Sequence, residues 1–110
     1  MKVIYSKNFP AQGFVAITLG FFVFARKEFK PLSDLVIRHE GIHVKQQLEM
    51  LILPFFLWYG IEYLVRAVQY GDFHTAYRNI SFEREAYANQ DILDYKKKRK
   101  FFAWIKYLRN

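Results

Sequence analysis

Two prolines and one glycine fix where this chain can be helical. Pro31, followed by Ser33 and Asp34, is a helix-start signal, because such side chains accept from the free N–H groups of a first turn. Residues 35–48 then place Leu35, Val36, Ile42 and Leu48 among polar positions, which predicts a first helix. Pro54 suits the first turn of a second helix that runs to about Gln69, where Tyr70-Gly71-Asp72 provides a stop. That helix is apolar nearly all round, so it is expected at the centre of the molecule. Ser81 can cap a third helix in which Phe82, Ala86 and Leu93 line one face and which continues into Lys96, Lys97, Lys98, Arg99 and Lys100. Residues 101–108 form a short amphipathic end.

Ahead of these helices, residues 2–5 and 14–24 are rich in Val, Ile, Phe and Thr, with Gly13 and Gly20 as punctuation, and read as a β-hairpin with residues 7–12 in its loop. The fold class is therefore α+β, an N-terminal hairpin packed on three to four helices in one domain, residues 1–110. No repeat or low-complexity linker divides it. With 12 Phe, 8 Tyr and 2 Trp, a chain of this size can bury about two-thirds of its unfolded surface. It contains no cysteine, so disulfides and thiol chemistry are excluded and any metal must be held by His, Asp or Glu.

Residues 14–25 make a poor signal peptide and are too short for a membrane span of about 20 residues. Residues 50–65 are interrupted by Pro54 and Glu62, and a mid-span carboxylate is costly in lipid, so they read as a buried helix rather than a dip into a bilayer. The expected compartment is the cytoplasm, with membrane association left open.

The stretch that carries chemistry is His39-Glu40-Gly41-Ile42-His43. Four residues advance a helix by about 400°, so the two imidazoles lie about 40° apart and roughly 6 Å along the axis. They can share one ion. Glu40 lies beside them and can accept a proton from water without being a ligand. Neutral imidazole suits zinc, and a catalytic zinc needs a third protein ligand plus an open position. Glu83 and Glu85 in the third helix and Glu62 in the second are the candidates. Periodicity does not choose between Glu83 and Glu85, and Glu62 could equally be a buried, paired carboxylate. A random coincidence of the H-E-x-x-H pattern in this composition has a chance of roughly 0.4%.

His39 to His43, followed about 40 residues later by Glu83-Arg84-Glu85-Ala86, resembles the gluzincin metallopeptidases, in which H-E-x-x-H precedes a glutamate on a separate helix. The nearer likeness is to minimal gluzincins and membrane prenyl-protein endopeptidases with E-x-x-A-D. On that pattern Glu83 is the third zinc ligand, Ala86 matches, and Tyr87 replaces an aspartate that orients a ligating histidine. Gln46 resembles the last position of the H-E-x-x-H-x-x-Q found in several small proteins of this kind. The resemblance implies a minimal zincin-like domain that binds one zinc ion and hydrolyses a peptide or protein substrate. A metal-activated water would attack the carbonyl, with Glu40 as general base. His74, Tyr77 and Arg78, in the connection before the third helix, are candidates for stabilising the oxyanion. Residues 14–24 are the candidate edge strand for an extended substrate.

The basic run and the aromatic residues after it, 96–110, admit three readings: a solvated helix end, a segment lying on an anionic membrane, or a nucleic-acid contact. No recognised nucleic-acid module supports the last. The rival to the peptidase is a non-catalytic metal-binding, membrane-surface or protein-interaction module of the same fold.

Overall fold

The computed structural model describes residues 1–109. Strands β1 (Lys2–Ser6), β2 (Ala16–Leu19) and β3 (Phe22–Arg26) precede five helices, α1 (Asp34–Glu49), α2 (Leu53–Tyr70), α3 (Phe73–Arg78), α4 (Ser81–Asn89) and α5 (Tyr95–Lys98), with a 3-10 stretch at Ala103–Leu108. The architecture is α+β, as the sequence predicts. The hairpin differs from the expected one. The apolar run 14–24 contains its own reversal at Gly20, whose φ of +62° suits a residue without a side chain, so β2 and β3 form the antiparallel pair. β1 lies on the far side of β3, parallel to it, with Val3 opposite Val23. The order β1-β3-β2 leaves β2 at an edge beside α1.

Two clusters of apolar side chains flank α1. Val23, Ala25 and Leu32 pack with Val36 and Ile37 under the sheet, while Phe55, Ile80, Phe82 and Trp104 join α2, α4 and the C-terminal stretch. The Phe55 and Phe82 rings meet at 4.4 Å. Helix α1 starts where expected, with Ser33 Oγ accepting from the Val36 N–H at 3.2 Å. Gln47 ties its far end to the sheet, donating to the Thr18 carbonyl at 2.7 Å and accepting from the Gly20 N–H at 2.5 Å.

Three further expectations are corrected. Helix α2 is not central: it fully buries only Phe55, Glu62 and Arg66, and leaves Leu57, Leu64 and Val68 at 67%, 65% and 88% exposure. Its apolar character therefore does not come from being surrounded by protein. The third helix, α4, stops at Asn89, and Leu93 is 81% exposed instead of lining its face. The connection that carries His74, Tyr77 and Arg78 is itself helical, as α3, because Asp72 accepts from both the N–H and the hydroxyl of Thr75 at 2.8 and 2.6 Å.

Candidate metal and catalytic site

Helix α1 puts His39 and His43 on its buried side, with Nε2 to Nε2 at 3.1 Å. His39, Glu40 and His43 are all buried and offer ligand atoms within 4.8 Å of one another, so the group could hold a metal ion. Helix α4 crosses opposite and points Glu83 at the same spot. Its Oε1 lies 3.2 Å from His39 Nε2 and 3.1 Å from His43 Nε2. The three atoms form a nearly equilateral triangle. Glu40 stands farther back, with Oε2 at 3.9 Å from His39 Nε2.

Each of these four side chains is anchored from behind. His39 Nδ1 meets Gln90 Oε1 at 2.7 Å and His43 Nδ1 meets Gln46 Oε1 at 2.8 Å. An amide oxygen can only accept, so Nδ1 carries the proton and Nε2 can present its lone pair inward. The carboxylates follow the same scheme. The Thr18 hydroxyl donates to Glu40 Oε1 and the Tyr59 hydroxyl to Glu83 Oε2, both at 2.8 Å. One oxygen of each is fixed, and the other faces the imidazoles.

Gln46 is held in turn. Its Nε2 donates to the Phe82 carbonyl at 3.0 Å and to Glu85 Oε1 at 2.9 Å. Glu85 also accepts from the Tyr95 hydroxyl at 2.7 Å and from Arg99 Nε at 2.5 Å. Arg99 closes a second, paired contact on Glu49 at 2.8 and 3.0 Å. Thus Glu85 faces away from the imidazoles, as part of a chain that runs from Arg99 to His43. Glu62 is also elsewhere. It accepts from the Ser81 N–H and hydroxyl, both at 2.6 Å, and so caps α4 from a distance.

The electrostatics of the metal-free site follow from this packing. Burial pushes the Glu40 carboxyl above its ordinary value, more than the two imidazoles and Thr18 lower it. Burial opposes charge on Glu83 as well, but His43 and His39 prevail and hold it well below the usual carboxylate range. Burial is the largest single influence on His43 and would lower it, yet the charge and hydrogen bond of Glu83, with Glu40 and Gln46, together outweigh it and raise the imidazole to about 10. Tyr59 and Tyr77 are pushed up by burial and then by Glu83, so their hydroxyls stay protonated.

A cavity of about 290 Å³ opens onto Glu40, His43 and Glu83, with Phe14, Ile17 and Phe55 among its apolar walls. Tyr77 lines it too, whereas His74 is exposed on α3. Tyr87 packs its ring against His39 with centroids 4.5 Å apart, and the Arg78 guanidinium lies over the Tyr87 ring, 3.7 Å from its centroid. It does not take the orienting hydrogen bond of His39; Gln90, one turn further along, does. Thr18 and Tyr59 carry no sequence signal. Only Gln90 had an available clue, its one-turn offset from Ala86 on the same helical face.

Comparison with protein-family models, with curated proteins and with solved structures finds no match.

Proposed function

We propose that this chain is a zinc-dependent peptidase of gluzincin type, with His39, His43 and Glu83 as ligands and Glu40 as general base. The observation that carries the reading is the triangle of Nε2, Nε2 and Oε1 atoms, 3.1 to 3.2 Å on each side. Tetrahedral zinc at its usual bond lengths sets ligand atoms about 3.3 Å apart, within a few tenths of an ångström of these edges. Two imidazole nitrogens and one carboxylate oxygen are a donor set that suits it. The anchoring of each ligand from behind also favours a metal role, since a metal site needs its ligands held in orientation.

When bound, zinc supplies Lewis-acid polarisation and a strong drop in the pKa of water. The chain's own residues supply the rest. Glu40 Oε2 is left free by the Thr18 contact, and burial increases its basicity, which favours a proton acceptor over a ligand at its longer distance. The apolar walls of the cavity limit water around the reacting groups. Tyr77 lines the same cavity with its hydroxyl protonated and is the candidate donor to a developing oxyanion. Strand β2 lines it as well. Val15 accepts from the Arg26 N–H, so Ala16, the next position, points its backbone groups away from β3 toward the free edge. An extended peptide can pair there.

Metal content and cleavage measured together test the reading. Purified protein should carry about one zinc per chain, and His43→Ala or Glu83→Ala should lose it. Glu40→Gln should keep the metal and slow cleavage of a peptide library by about 10²- to 10⁴-fold. Cleavage by that variant at the parent's rate would remove the general base. Metal retained without any cleavage by the parent would leave the non-catalytic metal-binding module.

A further inference from the structure

The exposed side of α2 is ordered. Leu53, Leu57, Ile61, Leu64, Val65 and Val68 are 57% to 88% exposed, and at about 100° per residue they share an arc of roughly 120°. The helix has two charged side chains, Glu62 and Arg66, and both are buried on the opposite side. An aliphatic stripe of this length left to water marks a contact surface.

The C-terminal stretch runs along one border of the stripe. Trp58 meets Trp104 at 5.3 Å, and Arg66 donates to the Leu108 carbonyl at 2.8 Å. That stretch exposes Ile105, Lys106 and Arg109, and Lys100 and Phe101 just before it are exposed too. Residues 95–109 contain no acid. The fold sharpens this bias, because five of the chain's ten acidic side chains, Glu40, Glu49, Glu62, Glu83 and Glu85, are turned inward.

We infer that the α2 stripe and the basic C-terminal border form a docking surface for an anionic lipid bilayer, on which the protein lies without crossing. No single helix among the described residues is long and apolar enough to cross, and α1 and α2 meet that measure only as a pair bent by 113°. An aliphatic face bordered by Lys, Arg, Trp and Phe is the composition of an interfacial helix. Charge selects lipid over a second copy of this chain: pairing two copies through the stripe brings basic borders together, whereas an anionic surface complements them. The docking involves neither metal nor cavity, so it stands or falls apart from the peptidase reading.

Co-sedimentation with vesicles tests it. The protein should bind phosphatidylcholine vesicles containing about 30% phosphatidylserine and bind pure phosphatidylcholine far more weakly. Leu57→Glu with Leu64→Glu, both exposed and outside the core, should weaken binding by about 100-fold or more. Lys100→Gln, Lys106→Gln and Arg109→Gln together should weaken it by about 100-fold, as should raising salt from about 0.1 to about 0.5 M to a lesser degree. The triple variant alters no buried side chain and keeps the test open if the leucine pair misfolds. Equal binding to both vesicle types, absence of binding, or binding unchanged in a folded variant overturns the inference. So does a dimer at micromolar concentration that the leucine pair dissolves, which would assign the face to a second copy.

Discussion

Helices α1 and α2 invert the usual relation between polarity and burial. Helix α1 carries His39, Glu40, His43, Gln46 and Gln47, and all five are buried. Helix α2 is far more apolar, yet most of its aliphatic side chains face outward. The difference lies in partners. Each buried polar side chain of α1 has a hydrogen-bond partner on β2 or α4 or within α1 itself, so its desolvation is compensated. The aliphatic stripe of α2 is left uncovered among the described residues. Burial in this protein follows the candidate site and not apolarity.

The comparison can be broken or sharpened by substitution, and the largest effect is expected in the network behind α1. Glu85→Ala leaves the Arg99 guanidinium, whose side chain is 4% exposed, without one of its two carboxylates. Breaking a buried pair in this way should cost about 3–5 kcal/mol of stability in denaturant unfolding. A loss below about 1 kcal/mol would mean that the network is slack. Next comes Gln46→Leu, which removes the hydrogen bond to His43 Nδ1 at similar volume. Zinc affinity measured by competition with a chelator should fall about 10- to 100-fold.

Acidity gives the third test. His43 is held up to about 10 by Glu83, and a ligating nitrogen must give up its proton, so zinc affinity should rise about tenfold per pH unit from near neutrality toward that value. For the metal-free protein the signs differ between the two partners. The His43 contribution is fully present below its ordinary 6.5 and is lost as pH rises through about 10. The Glu83 contribution is present above its ordinary 4.5 and is lost as pH falls toward its depressed value. Metal-free protein should therefore melt highest between about pH 5 and 7. A flat zinc titration across that range and above would show that no proton is displaced. The smallest effect belongs to α2: Val68→Ser, at 88% exposure, should change stability by no more than about 0.5 kcal/mol, and a larger loss would mean that the stripe is covered in solution.

The starts of α1 and α2 and the stop of α2 were legible because Pro31, Pro54 and Gly71 act on the backbone locally. The imidazole pair was legible for the same reason: a four-residue spacing becomes a distance as soon as the segment is helical. What a second element brings to that pair was not. Glu83 and Glu85 sit two residues apart on one helix, and only the crossing of α4 over α1 decides which one meets the histidines. A lone Thr18 or Tyr59 has no pattern to mark it. Gly20 was visible as punctuation, but the reversal there was not, since the apolar residues on both sides of it read the same with or without a turn. The place of α2 failed for a different reason. Hydropathy reports how a side chain regards water and does not say whether the alternative to water is the protein's own interior.

Arg99 joins three remote stretches of the chain, holding Glu49 at the end of α1 and Glu85 in α4 from a position just ahead of the C-terminal stretch. The first 90 residues contain every candidate ligand, but not every bond behind the ligands: if the chain were cut there, Glu49 would lose Arg99, and Glu85 would lose both Arg99 and the Tyr95 hydroxyl. The basic tail is thus bonded to the ring of His43 through one guanidinium, the Glu85 carboxylate and one amide.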